Sequence, residues 1–170
     1  FTYKRDLLAS SPTPAFSPVE SLLAGNLRHT MKLHPGATAS CLDDDACLIH
    51  IKAAEQSLRG AAEGLMAHAF RAEQDGSFRG DICRAAVLWL HGGLYTAVDV
   101  VSTGDWREAL RPAGVTFATA RPKNRDGWLF NAVIAASPRH RILQMYLEGL
   151  RRFYSGNRSV PIGAQTLLGM

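Results

Sequence analysis

The chain has 170 residues, 46% of them hydrophobic and 20% charged, with 19 Lys and Arg against 15 Asp and Glu for a formal net charge of +4. That is about one domain's length with enough apolar material for a core, which excludes a disordered or low-complexity chain. No window approaches the ~20 uninterrupted apolar residues that span a bilayer, and the mild positive charge suits a diphosphate ligand, an anionic surface or nucleic acid without choosing among them.

Residues 1–170 read as a single domain. With no initiator Met and no signal segment at Phe1, the chain is expected to be a piece of a longer product, and any membrane anchor to lie outside it. Phe1–Leu8 is a candidate strand, followed by a Ser/Pro-rich loop to Phe16. Ser17-Pro18-Val19-Glu20 carries a cap, a proline and an acid in the order that opens a helix, which should run to about Met31. His34-Pro35-Gly36 is a turn, and Ala37–Leu42 reads as a short buried strand. The acidic trio Asp43-Asp44-Asp45 stands before a helix over Ala46–Ala54, with carboxylates near its positive end. A further helix covers about Ala61–Glu73, and Asp75-Gly76-Ser77 makes a turn.

The apolar spacing of Ile82, Ala85, Ala86, Leu88 and Trp89 predicts a helix over Asp81–His91, stopped by Gly92-Gly93. Leu94–Val101 reads as a strand covered on both faces. Val115–Ala120 is another strand, and Leu129–Ala136 is ambiguous between strand and helix. Ser137-Pro138 opens a helix to about Tyr154, with Ile142, Tyr146, Leu150 and Phe153 on one side and Gly156 at its end. Helices alternating with short strands predict an α/β layered domain whose sheet is mainly parallel or mixed and flanked by helices.

The chemistry concentrates between Gly80 and Val100. Asp81 and Arg84, three apart, share one face at the helix start. Asp99 stands where a strand end delivers a side chain to the crevice in which α/β sheets collect ligands. A carboxylate there can hold a hard divalent cation that bridges phosphates. The plainer readings are a solvated salt bridge for the pair and a turn residue for Asp99.

This run resembles the family of glycosyltransferases with a sugar-binding region containing the DXD motif, which includes yeast initiating mannosyltransferases. The family pattern is Asp-x-x-Arg, an apolar helix, Gly-Gly-x-Tyr and then Asp-x-Asp. Asp81, Arg84, Gly92, Gly93, Tyr95 and Asp99 match it, while Ala97 stands in place of the first Asp of the motif. Less specific similarity covers Asn26–Asp45, Phe130-Asn131-Ala132 with Ser137-Pro138, and Pro161–Leu167, where Ala164 replaces a proline. The resemblance implies a GT-A-like, Rossmann-type fold, a nucleotide-sugar donor, a glycan, lipid or protein acceptor and a divalent metal, usually Mn²⁺. It implies Asp99 as the metal ligand, Asp81, Arg84, Tyr95 and Asn131 around the donor, and a Golgi or secretory compartment if the chain is eukaryotic and anchored upstream. The family usually retains anomeric configuration, so no general base is nominated.

Other residues carry less. The six histidines have no metal-ligand spacing and read as surface or capping residues. Cys41-x5-Cys47-x2-His50 is not a recognised zinc spacing, and a Cys41–Cys47 bridge is left open. Arg121, Lys123 and Arg125 form a basic loop with Trp128, and Trp106 reads as packing. Asp105 is the carboxylate that could compensate for Ala97. No Lys/Arg stripe with interleaved aromatics is present, so nucleic acid is not the expected partner. The alternative to an active transferase is a non-catalytic descendant that binds a carbohydrate, nucleotide or protein.

Overall fold

A computed structural model describes residues 18–58, 64–111, 114–120 and 130–156. Within them the order is α1 (Pro18–Leu33), α2 (Asp44–Ser57), α3 (Leu65–Ala72), α4 (Gly76–His91), β1 (Gly93–Thr96), α5 (Trp106–Leu110), β2 (Phe117–Ala120), β3 (Phe130–Ala136) and α6 (Arg141–Tyr154). The expected elements at Phe1–Phe16, the basic loop of residues 121–125 with Trp128, and Pro161–Leu167 fall outside the described residues.

The helix starts are set by short polar side chains that satisfy the first free amides. Asp43 caps α2, its Oδ1 accepting from the Ala46 amide at 2.8 Å. Asp75 does the same for α4 through Ser77 at 2.8 Å. The expected turn at residues 75–77 is therefore a helix cap, and α4 begins before the apolar pattern does. The N-cap position of α3 is Gly64, whose backbone is left-handed and which has no side chain to offer. Instead the buried Glu55 carboxylate reaches across from α2 to accept from the Met66 and Ala67 amides. Glu55→Ala should lower stability by about 2 kcal/mol, because two helix amides lose a buried acceptor at once. Chemical denaturation measures this, and a loss below about 0.5 kcal/mol would show that water takes over the cap.

The domain is α/β as expected, but its described strands pair antiparallel where a mainly parallel or mixed sheet is expected. The order is β1-β3-β2, with Gly93 opposite Ala136 and Phe117 also opposite Ala136. The connection over residues 121–129 is too short for the dozen or more residues of a parallel crossover, so β2 and β3 fold as an antiparallel pair. The ambiguous segment at Leu129–Ala136 is, over Phe130–Ala136, the central strand β3.

β1 is shorter than expected and lies at the sheet edge, with Leu94 37% exposed rather than covered. Its ladder ends where the Ala97 amide bonds the Ala132 carbonyl at 2.7 Å, and a turn closes from the Val100 amide to the Ala97 carbonyl. Side chains of α1 then hold the departing chain. Asn26 donates to the Val98 carbonyl at 3.2 Å, and His29 bonds the Ser102 carbonyl at 3.0 Å. The strand expected at Ala37–Leu42 does not form: the segment has no regular structure and half of it is solvent-exposed. Its small polar residues offer too little apolar surface to hold a buried strand.

Helix α4 is the centre of the core, packed by α2, α3, α6 and the sheet. Ile51, Met66, Phe70, Ile82, Leu143 and Leu147 are among the most deeply buried side chains. The inward face of α6 is Leu143, Tyr146, Leu147 and Leu150, with Ile142 turned outward at 40% exposure. That helix starts later than Ser137-Pro138 suggests, because Arg139 adopts a left-handed φ of 60° and His140 supplies the cap. A disulfide joins Cys47 on α2 to Cys83 on α4, leaving Cys41 free. The Cys41–Cys47 pairing is thereby replaced, since Cys47 is buried in the first turn of α2 against α4 while Cys41 lies ahead of the Asp43 cap.

Candidate functional site

Four of the five residues expected around a donor meet in one cluster. Asp81 and Arg84 come from α4, Tyr95 from β1 and Asn131 from β3. Asp81 Oδ1 accepts from Arg84 Nη2 at 3.1 Å and from Asn131 Nδ2 at 3.1 Å. Arg84 Nη1 donates to the Asn131 carbonyl at 2.7 Å and its Nε to the Gly80 carbonyl at 3.3 Å. The guanidinium lies 4.5 Å from the centroid of the Tyr95 ring, within cation–π range. The longer α4 places Asp81 beyond the first turn, among buried residues.

The electrostatics of the cluster follow from burial. Asp81 is 2% exposed, and its Oδ2 has no hydrogen-bond partner among the described residues. Desolvation pushes its carboxyl up to about 6 despite the opposing pull of Arg84. Burial likewise raises the Tyr95 phenol, with Arg84 pulling down and Asp81 and Asp99 pushing up. Tyr146, buried on α6, is raised for the same reason, with the Asp81 charge adding to it.

Beside the cluster opens a cavity of about 980 Å³ bounded by the end of α1, residues 37–42, one side of α4 and β1. Its volume is at the upper end of the range for small-molecule sites. Arg84 and Tyr95 line it, whereas Asp81 and Asn131 stand behind Arg84 and fix its direction. The arrangement presents one oriented guanidinium and one phenol, both suited to an anionic, hydroxyl-rich ligand.

Asp99 stands apart. It is exposed in the turn after β1 and is not part of the cavity wall, although the neighbouring Ala97 and Val98 are. Asp105 is committed elsewhere: it caps α5 and pairs with Arg107 at 2.7 Å, and those hydrogen bonds hold its carboxyl down at about 2. Among the described residues no group of three or more His, Cys, Asp or Glu is placed to hold a metal. A divalent ion at this end of β1 would find one exposed protein carboxylate, which fits an ion whose remaining positions are phosphate oxygens and water.

Some site features had no signal in the sequence. His50 and His91, 41 positions apart, come within 3.2 Å of one another on the cavity wall. His34 is buried, bonding the Thr30 carbonyl through Nδ1 at 2.7 Å and accepting from the Trp106 amide through Nε2 at 3.1 Å. The indole of Trp106 bonds the Ser102 hydroxyl at 3.5 Å and forms part of the cavity wall. Compared with protein-family models, curated proteins and solved structures, the chain matches none.

Proposed function

We propose that this chain is a GT-A-type glycosyltransferase domain of the DXD sugar-binding family, which binds a nucleotide-sugar and transfers its sugar to a glycan, lipid or protein acceptor. The observation that carries the reading is the meeting of Asp81, Arg84, Tyr95 and Asn131 beside a large cavity. Asn131 belongs to a separate part of the resemblance from the other three, and nothing in its distance of 50 positions from Asp81 requires the two to touch.

In this reading Arg84 meets the nucleotide-sugar, held in position by Asp81 and by the Asn131 carbonyl. Tyr95 packs against the guanidinium and lines the donor side of the cavity. Asp99 holds one position of a divalent ion, Mn²⁺ by family habit, that arrives with the diphosphate. Such an ion supplies charge stabilisation for the departing diphosphate. The Cys47–Cys83 bridge supports an oxidising compartment such as the secretory lumen. A non-catalytic carbohydrate-, nucleotide- or protein-binding descendant is the second reading, favoured by Ala97 and by the exposure of Asp99.

Titration calorimetry with nucleoside diphosphate and Mn²⁺ separates the possibilities. Joint binding should weaken by about tenfold or more in Asp99→Asn, a loss of about 1.4 kcal/mol. Failure of the folded protein to bind either component at about 1 mM would remove the nucleotide-sugar reading. Sugar-nucleotide hydrolysis that disappears in Asp99→Asn would decide for the active enzyme over the inactive relative.

A further inference from the structure

The histidine pair on the cavity wall lies outside the chemistry proposed above. His50 sits on α2, one turn after Cys47, and His91 is the last residue of α4, eight positions after Cys83. Contacts between the two helices advance together, Asp44 with Arg79, Cys47 with Cys83 and His50 with His91. The helices therefore run alongside in the same direction. The Cys47–Cys83 bridge ties the two helices one turn before His50 and about two turns before His91.

We propose that His50 and His91 together bind a borderline divalent ion of the Zn²⁺ class, through His50 Nδ1 and His91 Nε2, with the remaining positions open to the cavity and to water. The distance carries the proposal. Those two nitrogens are 3.2 Å apart, and two imidazoles on one tetrahedral zinc, each at ~2.0–2.1 Å, have nitrogens about 3.3 Å apart. The rings meet edge-on, 84° between planes and 5.0 Å between centroids, and both imidazoles must tilt for their facing lone pairs to converge on one ion.

In the metal-free pair one facing nitrogen donates a proton and the other accepts it. On binding, the donor ring moves that proton to its far nitrogen, both facing nitrogens become lone-pair donors, and two neutral imidazoles meet the ion with no net change of protonation. Imidazole ligands favour zinc-class ions over the oxygen-seeking Mn²⁺. Among the described residues no third histidine, cysteine or carboxylate joins the pair. Two protein ligands are fewer than the three of a catalytic zinc site or the four of a structural one, so water and groups in the cavity would fill the other positions.

Equilibrium dialysis of the disulfide-intact chain against Zn²⁺, without nucleotide, tests it. The expected result is one ion per chain, weakened by about tenfold or more in His91→Ala and again in His50→Ala. The affinity should be unchanged in Cys41→Ser, and the unfolding temperature should rise with Zn²⁺ only where both histidines are present. Unchanged binding in His91→Ala, its loss in Cys41→Ser, or no uptake at about 0.1 mM free Zn²⁺ overturns the proposal. Because the assay contains no diphosphate and no Mn²⁺, its failure leaves the nucleotide-sugar reading where it stands.

Discussion

Arg84→Met should cost about 3 kcal/mol or more of folding stability at pH 8 and distinctly less at pH 5. The guanidinium is the cationic partner of a carboxylate that is 2% exposed and whose Oδ2 has no hydrogen-bond partner among the described residues. Taking it away leaves an uncompensated buried charge, the costliest way to break an ion pair. The pH dependence follows from linkage. The Asp81 carboxyl is raised to about 6 in the folded chain, above its unfolded value of about 3.9, so between those values the folded state holds more protons than the unfolded one. Stability contributed by this group is thus gained as pH falls through about 6 and is absent at pH 8.

Without Arg84 the carboxyl rises further, and the relief on acidification grows with it. Urea unfolding at the two pH values measures the effect. Wild type compared with Asp81→Asn should gain about 2 kcal/mol between pH 7.5 and pH 4, the same linkage seen without the arginine change. A pH-independent cost for Arg84→Met would mean that the carboxylate finds solvent or another donor, and the cluster would lose its electrostatic basis.

Removing the disulfide should be at least as damaging. Cys47 and Cys83 are separated by 36 positions, and closing a loop of that size restricts the unfolded chain by about 4 kcal/mol. The double variant Cys47→Ala/Cys83→Ala, which leaves no new thiol in the core, should unfold about 10 °C or more below wild type. Both sulfurs are buried between α2 and α4, so the loss of packing adds to the entropic term. Arg84 is the next residue after Cys83, so the variant should also weaken diphosphate binding. If the double variant unfolds within about 1 kcal/mol of wild type, the bridge contributes no net constraint.

Most of the helices could be read in the sequence because their signals are local. Asp43 and the apolar spacing around Leu88 each act within a few residues of themselves, and the helices they predict are present, whereas Asp75, expected in a turn, caps α4. The strands were harder. The apolar content of Leu94–Val101 correctly suggests extended chain, but the ladder is cut after Thr96 by tethers from Asn26 and His29, roughly seventy positions upstream. Pairing direction follows from the short connection between β2 and β3, a signal that counts only once Leu129–Ala136 is resolved as a strand and not a helix.

The candidate site divides the same way. Asp81 and Arg84 announce themselves by helical spacing, whereas Asn131 reaches them across 50 positions and only similarity to a family suggested it. His50 and His91 are 41 positions apart and no motif joins them. Their encounter is a product of helix packing, which a one-dimensional pattern does not contain.

Gly92 has a φ of 66°, and a β-carbon there would come within 2.6 Å of the Pro138 ring and 2.8 Å of the Ala136 carbonyl oxygen. The position is therefore guarded by residues more than forty places downstream, and mutational drift at one end of the contact is vetoed by the other. Half of the diglycine would persist under selection for folding alone. Gly92 therefore reports on architecture and says nothing of what the cavity it borders binds.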